Sequence, residues 1–361
     1  MKQWIQKDFL LILAVLAAGI SAIWVKPSFE YVSYIDFRTM ILLYCLMVIV
    51  TGFQKTGLLH TMMTKILSTV DSLQDLVGVL VGACFLSAML MTNDVALLTF
   101  VPLAIGSLSS IHQSPYILIT IILQTVAANL GSMLTPIGNP QNLFLFGLSQ
   151  WSVANFVQLM LPATVLSAIL LFFAVQRIPR SKLIMSHYKD SQVDKIGIFV
   201  YLGLFVLTLA AVVHWVEPVI VLLLLVLILT FYDYKNLFGA DFGLLLTFLA
   251  LFVLVGNLGR IDQIHTLLAK VVYGREKIVA ILLSQIISNV PAAILLSTYT
   301  TSLEVLTLGV NLGGLGTLIA SMASIISFKQ YSKTKNAQPG RYLLVFTVVN
   351  IVFLAVLYVL T

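Results

Sequence analysis

The chain has 361 residues, of which 60% are apolar and only 9% charged, and its mean hydropathy is +1.05. Soluble domains carry charges on about a quarter of their residues, so this composition excludes an ordinary soluble enzyme or binding module. The apolar residues come in long runs rather than in alternation, which predicts an all-α polytopic protein of the cell membrane.

The net charge of +6 comes from lysines and arginines that lie mostly in loops beside apolar runs. Basic residues in such positions fix the orientation of a membrane protein, so we predict contacts with membrane lipid and no nucleic acid partner. Cys45 and Cys84, the only cysteines, each lie within an apolar run. Their positions predict a role in packing, rather than a disulfide framework or a metal cluster.

Long apolar stretches predict about nine transmembrane helices, since one crossing takes roughly 20 apolar residues. The first stretch follows two lysines and resembles a signal peptide, but its cleavage site is poor and many apolar segments follow, which favours an uncleaved helix. The spans lie at 8–25, 39–57, 114–150, 153–176, 196–214, 217–232, 242–258, 305–326 and 341–360.

Two regions between these spans contain apolar segments that are short for a crossing and that meet at a polar join. The first region, 76–109, joins at Thr-Asn-Asp (92–94), and the second, 278–301, joins at Ser-Asn-Val (288–290). Backbone that is left open at membrane depth must be buried in protein or line a cavity. The pattern therefore predicts two re-entrant helical hairpins whose tips line a site.

Two of the spans contain segments rich in glycine, proline and asparagine. NLGSMLTPIGNPQN occupies 129–142 within the span 114–150, and NLGGLGTLIAS occupies 311–321 within 305–326. Glycine lets the backbone open and proline removes a donor, so each segment predicts a helix broken inside the membrane. Broken helices offer N–H groups to anions and carbonyl groups to cations. A kink that serves only packing is the alternative for either segment taken alone.

The hairpins and broken helices occur twice in the same order, and a similar amphipathic segment precedes each hairpin. LHTMMTKIL (59–67) aligns without a gap with IHTLLAKVV (264–272), which pairs His60 with His265. Matching polar residues in the same order predict an internal duplication, and the two histidines are predicted to lie at the membrane interface rather than to bind an ion. The predicted units are an N-terminal repeat at 1–176, a cytoplasmic linker at 177–195 and a C-terminal repeat at 196–361.

The charge distribution predicts that the two repeats are inverted. With the N-terminus in the cytoplasm, most lysines and arginines fall on the cytoplasmic side, as the positive-inside rule requires. The first hairpin then enters from the cytoplasm, the second enters from outside, and the C-terminus lies outside. A helix without a partner in the first repeat, at 196–214 or 217–232, supplies the inversion.

The motifs TNDVALLTFVPLA, NLGSMLTPIGNPQN and SNVPAAILLS resemble those of the ion transporter superfamily, and the resemblance extends over about residues 35–330. This superfamily includes arsenite permeases, NhaD-type sodium/proton antiporters, and citrate and divalent anion:sodium symporters. The Asn-Asp pair at the first tip is more similar to the arsenite permease and NhaD side. The resemblance implies a homodimer in which a transport domain moves against a fixed scaffold by an elevator mechanism.

The resemblance also implies where ions and substrate bind. In the symporters of the superfamily, sodium ions lie between each hairpin tip and its broken helix, and a tip threonine binds the substrate. This chain has Asp94 and Val290 in place of that threonine, which argues against a dicarboxylate. The implied cation ligands are Thr92, Asn93, Gly138 and Asn139 at one site, and Ser284, Ser288, Asn289 and Ala320 at the other. Asp94 is added to the first site as an acidic residue of the first tip. The implied substrate-binding residues are Asn93, Asp94, Thr135, Pro136, Asn139, Asn289, Val290 and Thr317.

These features together predict a secondary transporter for a small anion or oxyanion, with sodium or protons as the coupling ion and no organic cofactor. The alternatives are a sodium/proton antiporter and an arsenite-type efflux permease. The paired hairpins argue against a channel. The lack of a GxxxxGK motif argues against direct use of ATP, and the lack of a nucleophile paired with a base argues against an enzyme.

Asp94 is the one residue among the 14 acidic residues that is predicted to lie at mid-membrane depth. An ionised side chain there is costly unless it is paired, bound to a cation or protonated. We therefore predict that sodium and protons compete for Asp94. The alternative is a cap on a helix at 95–109, because aspartate is a favoured N-cap residue.

Overall fold

A computed structural model describes residues 9–58, 61, 65, 70–183, 193–300 and 302–361 of the chain. These residues form α-helices and short 3-10 helices, and no strand occurs among them. Eight of the helices are long and apolar enough to cross a bilayer. The predicted class, an all-α polytopic membrane protein, is confirmed.

The α-helices are numbered here in chain order. In the first half they are α1 Phe9–Ser21, α2 Glu30–Ser33, α3 Phe37–Lys55, α4 Leu73–Leu90, α5 Asn93–Ser110, α6 Ile117–Gly131, α7 Pro140–Leu148 and α8 Val153–Val175. In the second half they are α9 Lys195–Val212, α10 Pro218–Tyr232, α11 Phe242–Gly259, α12 Asp262–Val272, α13 Glu276–Ile287, α14 Asn289–Ser297, α15 Leu303–Leu312, α16 Met322–Ser332 and α17 Pro339–Leu360.

The first hairpin consists of α4 and α5, and its arms are longer than the apolar segments of the sequence indicate. α4 begins at Leu73 because the Ser72 hydroxyl accepts the backbone N–H of Asp75 (3.2 Å), which caps a first turn that contains polar residues. α5 begins at Asn93, directly after the turn. Each arm has 18 residues and satisfies the length and composition of a crossing. The expectation that both arms are too short to cross is therefore not met.

The second hairpin consists of α13 and α14, which have 12 and 9 residues and are short, as expected. At 1.5 Å per residue, the longer arm extends only about 18 Å. The two arms meet at Ser288, whose φ of +76° and ψ of 155° lie in a region that side chains rarely adopt. α10 and α15, with 15 and 10 residues, are also short for the crossings predicted at their positions.

Both broken helices are present as predicted, between α6 and α7 and between α15 and α16. Gly138 is required in the first break, because a Cβ atom there would lie 2.1 Å from the backbone oxygen of Ser132. Gly316 is required in the second break: its φ is +111°, and a Cβ atom would lie 2.3 Å from Gln285 Oε1. Glycine is thus needed in the first break because the backbone folds back on itself, and in the second because an arm of the second hairpin lies against it.

Helix α6 lies at the centre of the molecule. Nearly all of its residues are buried, and it packs against both arms of the first hairpin, against α8 and against α16 of the second half. Cys45 and Cys84 belong to the same apolar core and form no disulfide, so their predicted packing role is confirmed. Helices α8, α10 and α17 expose long apolar faces, as helices that contact lipid or a partner subunit do.

The second of the two amphipathic segments lies within the described residues. The segment 264–272 lies in α12, where the His265 ring packs 5.3 Å from the ring of Tyr299. His60 and most of the segment 59–67 lie outside the described residues, as does part of the predicted linker 177–195.

Candidate functional site

The first hairpin tip is held against the first broken helix by Asn93. Its backbone N–H donates to the carbonyl oxygen of Gly138 (3.2 Å), and its side-chain amide donates to Asn129 Oδ1 (3.0 Å). The Thr135 hydroxyl, on the same break, donates to the carbonyl oxygen of Met89 (2.5 Å) on the other arm of the hairpin. The tip and the break therefore form one hydrogen-bonded unit.

Asp94 does not cap a helix. Helix α5 starts before it, at Asn93, the preceding Thr92 makes no side-chain cap, and Asn93 Oδ1 accepts the backbone N–H of Asp94 (2.9 Å). The Oδ1 atom of Asp94 is buried and has no hydrogen-bond partner among the described residues. The alternative interpretation of Asp94 as a cap on the helix is therefore wrong, and its carboxylate has an oxygen to offer to an ion.

Three of the implied cation ligands line a common cavity of about 130 Å³ beside the first tip: Thr92, Asp94 and Asn139. Pro136 and Val290, two of the implied substrate-binding residues, are buried in the first break and at the second tip. Their side chains have no polar atom, so they contribute shape rather than hydrogen bonds.

The second hairpin tip meets the second broken helix in a similar way. The Ser288 hydroxyl donates to the carbonyl oxygen of Ala320 (3.4 Å). Asn289 packs so closely on Gly314 that a Cβ atom added to this glycine would lie 2.9 Å from Asn289 Nδ2. Ser284 packs on Gly313 in the same way, at 2.6 Å from Ser284 Oγ. The four implied ligands of the second cation site are thus brought to one break.

Thr317 contacts an arm of the second hairpin rather than its tip. Its backbone N–H donates to Gln285 Oε1 (2.9 Å), and its hydroxyl donates to the Gln285 carbonyl oxygen (3.3 Å). Gln285 Nε2 in turn donates to the carbonyl oxygens of Gly313 (3.0 Å) and Leu315 (2.9 Å). One glutamine side chain therefore fixes the unwound backbone of the second break.

Asparagine side chains join the two halves of the chain at the centre. Asn129 Oδ1 accepts the hydroxyl of Ser321 (3.0 Å), which stands at the start of α16. Asn311 donates to Asn142 Oδ1 (2.7 Å) and accepts from the amide of Asn139 (3.3 Å). All of these side chains are buried. Uncharged amides and hydroxyls thus connect the first broken helix to the second; this set of residues is called the amide network below.

Three helices begin at the amide network: α5 at the first tip, and α7 and α16 at the breaks. A fourth, α14, begins at the second tip, which Ser288 joins to the second break. The first backbone N–H groups of a helix have no partner within that helix, and its N-terminus carries a partial positive charge. Such N-termini bind anions without a basic side chain. The arrangement can therefore attract an anion, while the free oxygen of Asp94 can attract a cation.

The sequence pointed to the tips and breaks but not to every residue that connects them. Asn129, Asn142, Asn311, Ser321 and Gln285 all lie outside the ligand sets implied by the resemblance. Asn129 and Asn311 do carry a signal, since each opens one of the two matching segments, and Gln285 is an amide within an apolar arm. Asn142 and Ser321 close the same two segments, but the pairing of all four residues across the two halves of the chain needed the structure.

Comparisons with known proteins relate the chain to transporters. The chain is 36% identical over 335 residues to an uncharacterized transporter of Methanocaldococcus jannaschii, which covers 91% of this chain and 90% of the relative. It is 31% identical over 330 residues to the inner membrane protein YbiR of Escherichia coli, which covers 89% and 87%. The family model described as citrate transporter matches residues 3–305, a range that contains both hairpins and the first break. The chain therefore belongs to the citrate transporter family.

Proposed function

We propose that the protein is a secondary active transporter that moves a small anion or oxyanion across the cell membrane and couples this movement to a sodium or proton gradient. The observation that carries the proposal is that the first hairpin tip and both broken helices meet in one buried amide network, while the second tip is hydrogen-bonded to the second break. Unwound backbone at membrane depth is tolerated where it lines a binding site. Membership of a transporter family supports the same class of function.

The anion and the coupling ion would bind to different parts of the site. The N-termini of α7, α14 and α16 favour the anion, whereas the first two N–H groups of α5 already donate to Gly138 and Asn93. Buried oxygens of Asp94 and Asn139 have no hydrogen-bond partner among the described residues. Both favour sodium, and the Asp94 carboxylate can bind a proton instead. An ionised Asp94 repels an anion, and a bound cation removes that repulsion. Binding of the cation and of the anion is therefore coupled.

Citrate is the first substrate to test, because the family is described by it. Asp94 and Val290 stand where related symporters have a substrate-binding threonine, so smaller oxyanions belong in the same panel. Arsenite is included because the Asn-Asp pair of the first tip resembles that of arsenite permeases.

The two hairpins and the two breaks would move together, as the transport domain of an elevator-type mechanism. Hydrogen bonds between these four parts hold them to one another, which supports movement as a rigid body. The exposed apolar faces of α8, α10 and α17 would contact lipid or the second subunit of a homodimer.

A sodium/proton antiporter is the second candidate. The Oδ1 atom of Asp94, which has no hydrogen-bond partner in the part of the chain that the structure describes, favours it. A carboxylate that binds either sodium or a proton exchanges the two ions without any organic substrate. The two candidates share the cation site and differ in whether an anion is needed.

Reconstitution into liposomes separates the candidates. Sodium and proton gradients are imposed in turn, and uptake of citrate, succinate, phosphate, sulfate and arsenite is measured. Gradient-dependent uptake of one anion is the expected result, whereas a sodium-driven change of internal pH without any anion identifies the antiporter. Neither response under any gradient would contradict both candidates.

The role of Asp94 is tested in the same liposomes. If sodium and protons compete for its carboxylate, the apparent sodium affinity weakens as the pH falls. Asp94→Asn is expected to remove most of that pH dependence, since the amide of asparagine does not titrate. An Asp94→Asn protein that keeps the wild-type dependence would place proton coupling elsewhere.

A further inference from the structure

We propose that Asp241 is a second carboxylate of the cation site that contains Asp94 and Asn139, and that the two carboxylates together bind the coupling cation. The inference rests on the proposed cation-coupled transport, and it adds a residue that lies outside both hairpins and both broken helices. Asp241 is the N-cap residue of α11.

The cavity beside the first tip brings these residues together. It has a volume of about 130 Å³ and lies between α3, the first tip, the first break and the start of α11. Its polar lining residues include Thr51, Thr92, Asp94, Asn139 and Asp241. Both titratable side chains are acids, and no lysine, arginine or histidine occurs among the described residues that line it. An acidic cavity without a basic partner favours a cation.

Two oxygen atoms in this cavity wall are free to bind a ligand. Asp94 Oδ1 and Asn139 Oδ1 are buried and accept no hydrogen bond from the described residues. Asn139 is only 2% exposed, and its amide nitrogen already donates to Asn311 (3.3 Å), so the oxygen is the atom that remains. A buried acceptor without a donor costs about 1–3 kcal/mol. Hard cations prefer oxygen ligands, so a bound cation would remove this cost.

Asp241 is placed to receive the cation first. Its Oδ1 atom accepts the backbone N–H of Leu244 (3.1 Å), and this cap uses only one of the two carboxylate oxygens. The side chain is exposed, whereas Asp94 Oδ1 is buried. A cation that enters the cavity thus meets one carboxylate at the solvent side and the other inside. Because Asp94 lies on the hairpin and Asp241 on α11, a cation held by both links two separate elements.

The test measures sodium binding without transport. The purified protein is titrated with sodium chloride at neutral pH, with choline chloride to hold ionic strength constant, and the thermal unfolding midpoint is recorded. A ligand that binds only the folded state raises this midpoint. The wild type is expected to respond to sodium. Asp241→Asn and Asp94→Asn are each expected to require at least about tenfold more sodium for the same rise, which corresponds to about 1.4 kcal/mol.

Two controls separate binding from folding. Asparagine caps a helix about as well as aspartate, so Asp241→Asn without sodium is expected to unfold at the wild-type midpoint. Asp262→Asn changes an exposed acid at the start of α12, away from the cavity, and is expected to keep the wild-type response to sodium.

Two results would overturn the inference. The first is a wild-type sodium response in Asp241→Asn, whatever the midpoint of this variant without sodium. The second is the absence of a sodium response in the wild type. The proposed function is judged separately, by gradient-driven uptake or pH change in liposomes with the wild type.

Discussion

At the scale of single residues, the centre of the molecule is built from amides rather than from charges. A side-chain amide offers donors and an acceptor at once, so Asn129 can accept from both Asn93 and Ser321. Polar groups that satisfy one another in this way avoid the much larger cost of an ionised side chain at membrane depth. Asn129 is thus the residue through which the first tip and the second break meet.

Asn129→Ala is expected to lower gradient-driven uptake by at least about tenfold, because it leaves the Asn93 amide and the Ser321 hydroxyl unpaired, at about 1–3 kcal/mol for each group. Uptake is measured in liposomes and divided by the amount of reconstituted protein. Asn350→Ala is the matched control: Asn350 is equally buried, but its amide bonds within α17, to the Phe346 carbonyl oxygen (2.8 Å). Equal uptake by the two variants would remove the central role of Asn129.

Ser288 carries backbone strain, since its φ of +76° and ψ of 155° lie in a region that is almost confined to glycine. Ser288→Gly is therefore expected to stabilise the protein by about 1–3 kcal/mol, while Ser288→Ala keeps the strain. Both variants lose the hydroxyl and are expected to lose uptake if it binds an ion. Thermal unfolding in detergent compares the stability of the two variants. A midpoint of Ser288→Gly below that of Ser288→Ala would contradict the expected relief of strain.

Among individual site residues, those that can be read from the sequence are the ones that are unusual in a membrane. Asparagine, glycine and proline in the segment 129–142 stand out against an apolar background. Asp241 does not, because an aspartate before an apolar helix is an ordinary capping signal. Its closeness to Asp94 depends on tertiary packing that no local pattern encodes.

At the scale of elements, apolar runs locate most helices but not their ends. The ends follow capping and turn chemistry, as at Ser72, where a polar first turn extends α4 beyond its apolar run. The breaks could be predicted because glycine and proline act locally. The position of α6 at the centre, in contact with α16, could not be predicted, because it depends on contacts between distant segments.

Gly138→Ala is expected to separate the first tip from the first break. The added Cβ atom would lie 2.1 Å from the Ser132 backbone oxygen, and the shift needed to relieve this contact also moves the carbonyl oxygen that accepts the Asn93 N–H. Uptake is expected to be lost. Gly106→Ala, in α5, is the control, because no atom lies within 4 Å of its added Cβ. A Gly138→Ala protein as active as Gly106→Ala would argue against a tightly packed break.

At the scale of the whole molecule, the two halves are joined rather than merely adjacent. Thr125 donates to Ser327 (2.8 Å), and the amide network adds contacts between the two breaks. The repeats at 1–176 and 196–361 and their inverted orientation stay predictions. Matching motifs could indicate a duplication, but only tertiary structure brings the two copies of the break together.

The predicted orientation can be tested by cysteine labelling from outside intact cells. Cys45 and Cys84 are fully buried, so the wild type is expected to react little with a membrane-impermeant maleimide. Lys26→Cys, between α1 and α2, is expected to be labelled, and Lys335→Cys, between α16 and α17, to be protected until the cells are lysed. Both lysines are exposed. The reverse pattern would place the N-terminus outside.

The central position of α6 also has a consequence for how the chain is made. Thr125 is hydrogen-bonded to Ser327, 202 residues later in the chain, and Asn129 to Ser321, 192 residues later. During synthesis, α6 therefore enters the membrane long before these partners leave the ribosome, with polar side chains that hydrocarbon cannot satisfy. We expect chains that stop before α16 to be held by insertion factors and degraded. Completion of the second half would then act as a checkpoint in biogenesis, and co-expression of the missing helices would rescue the fragment.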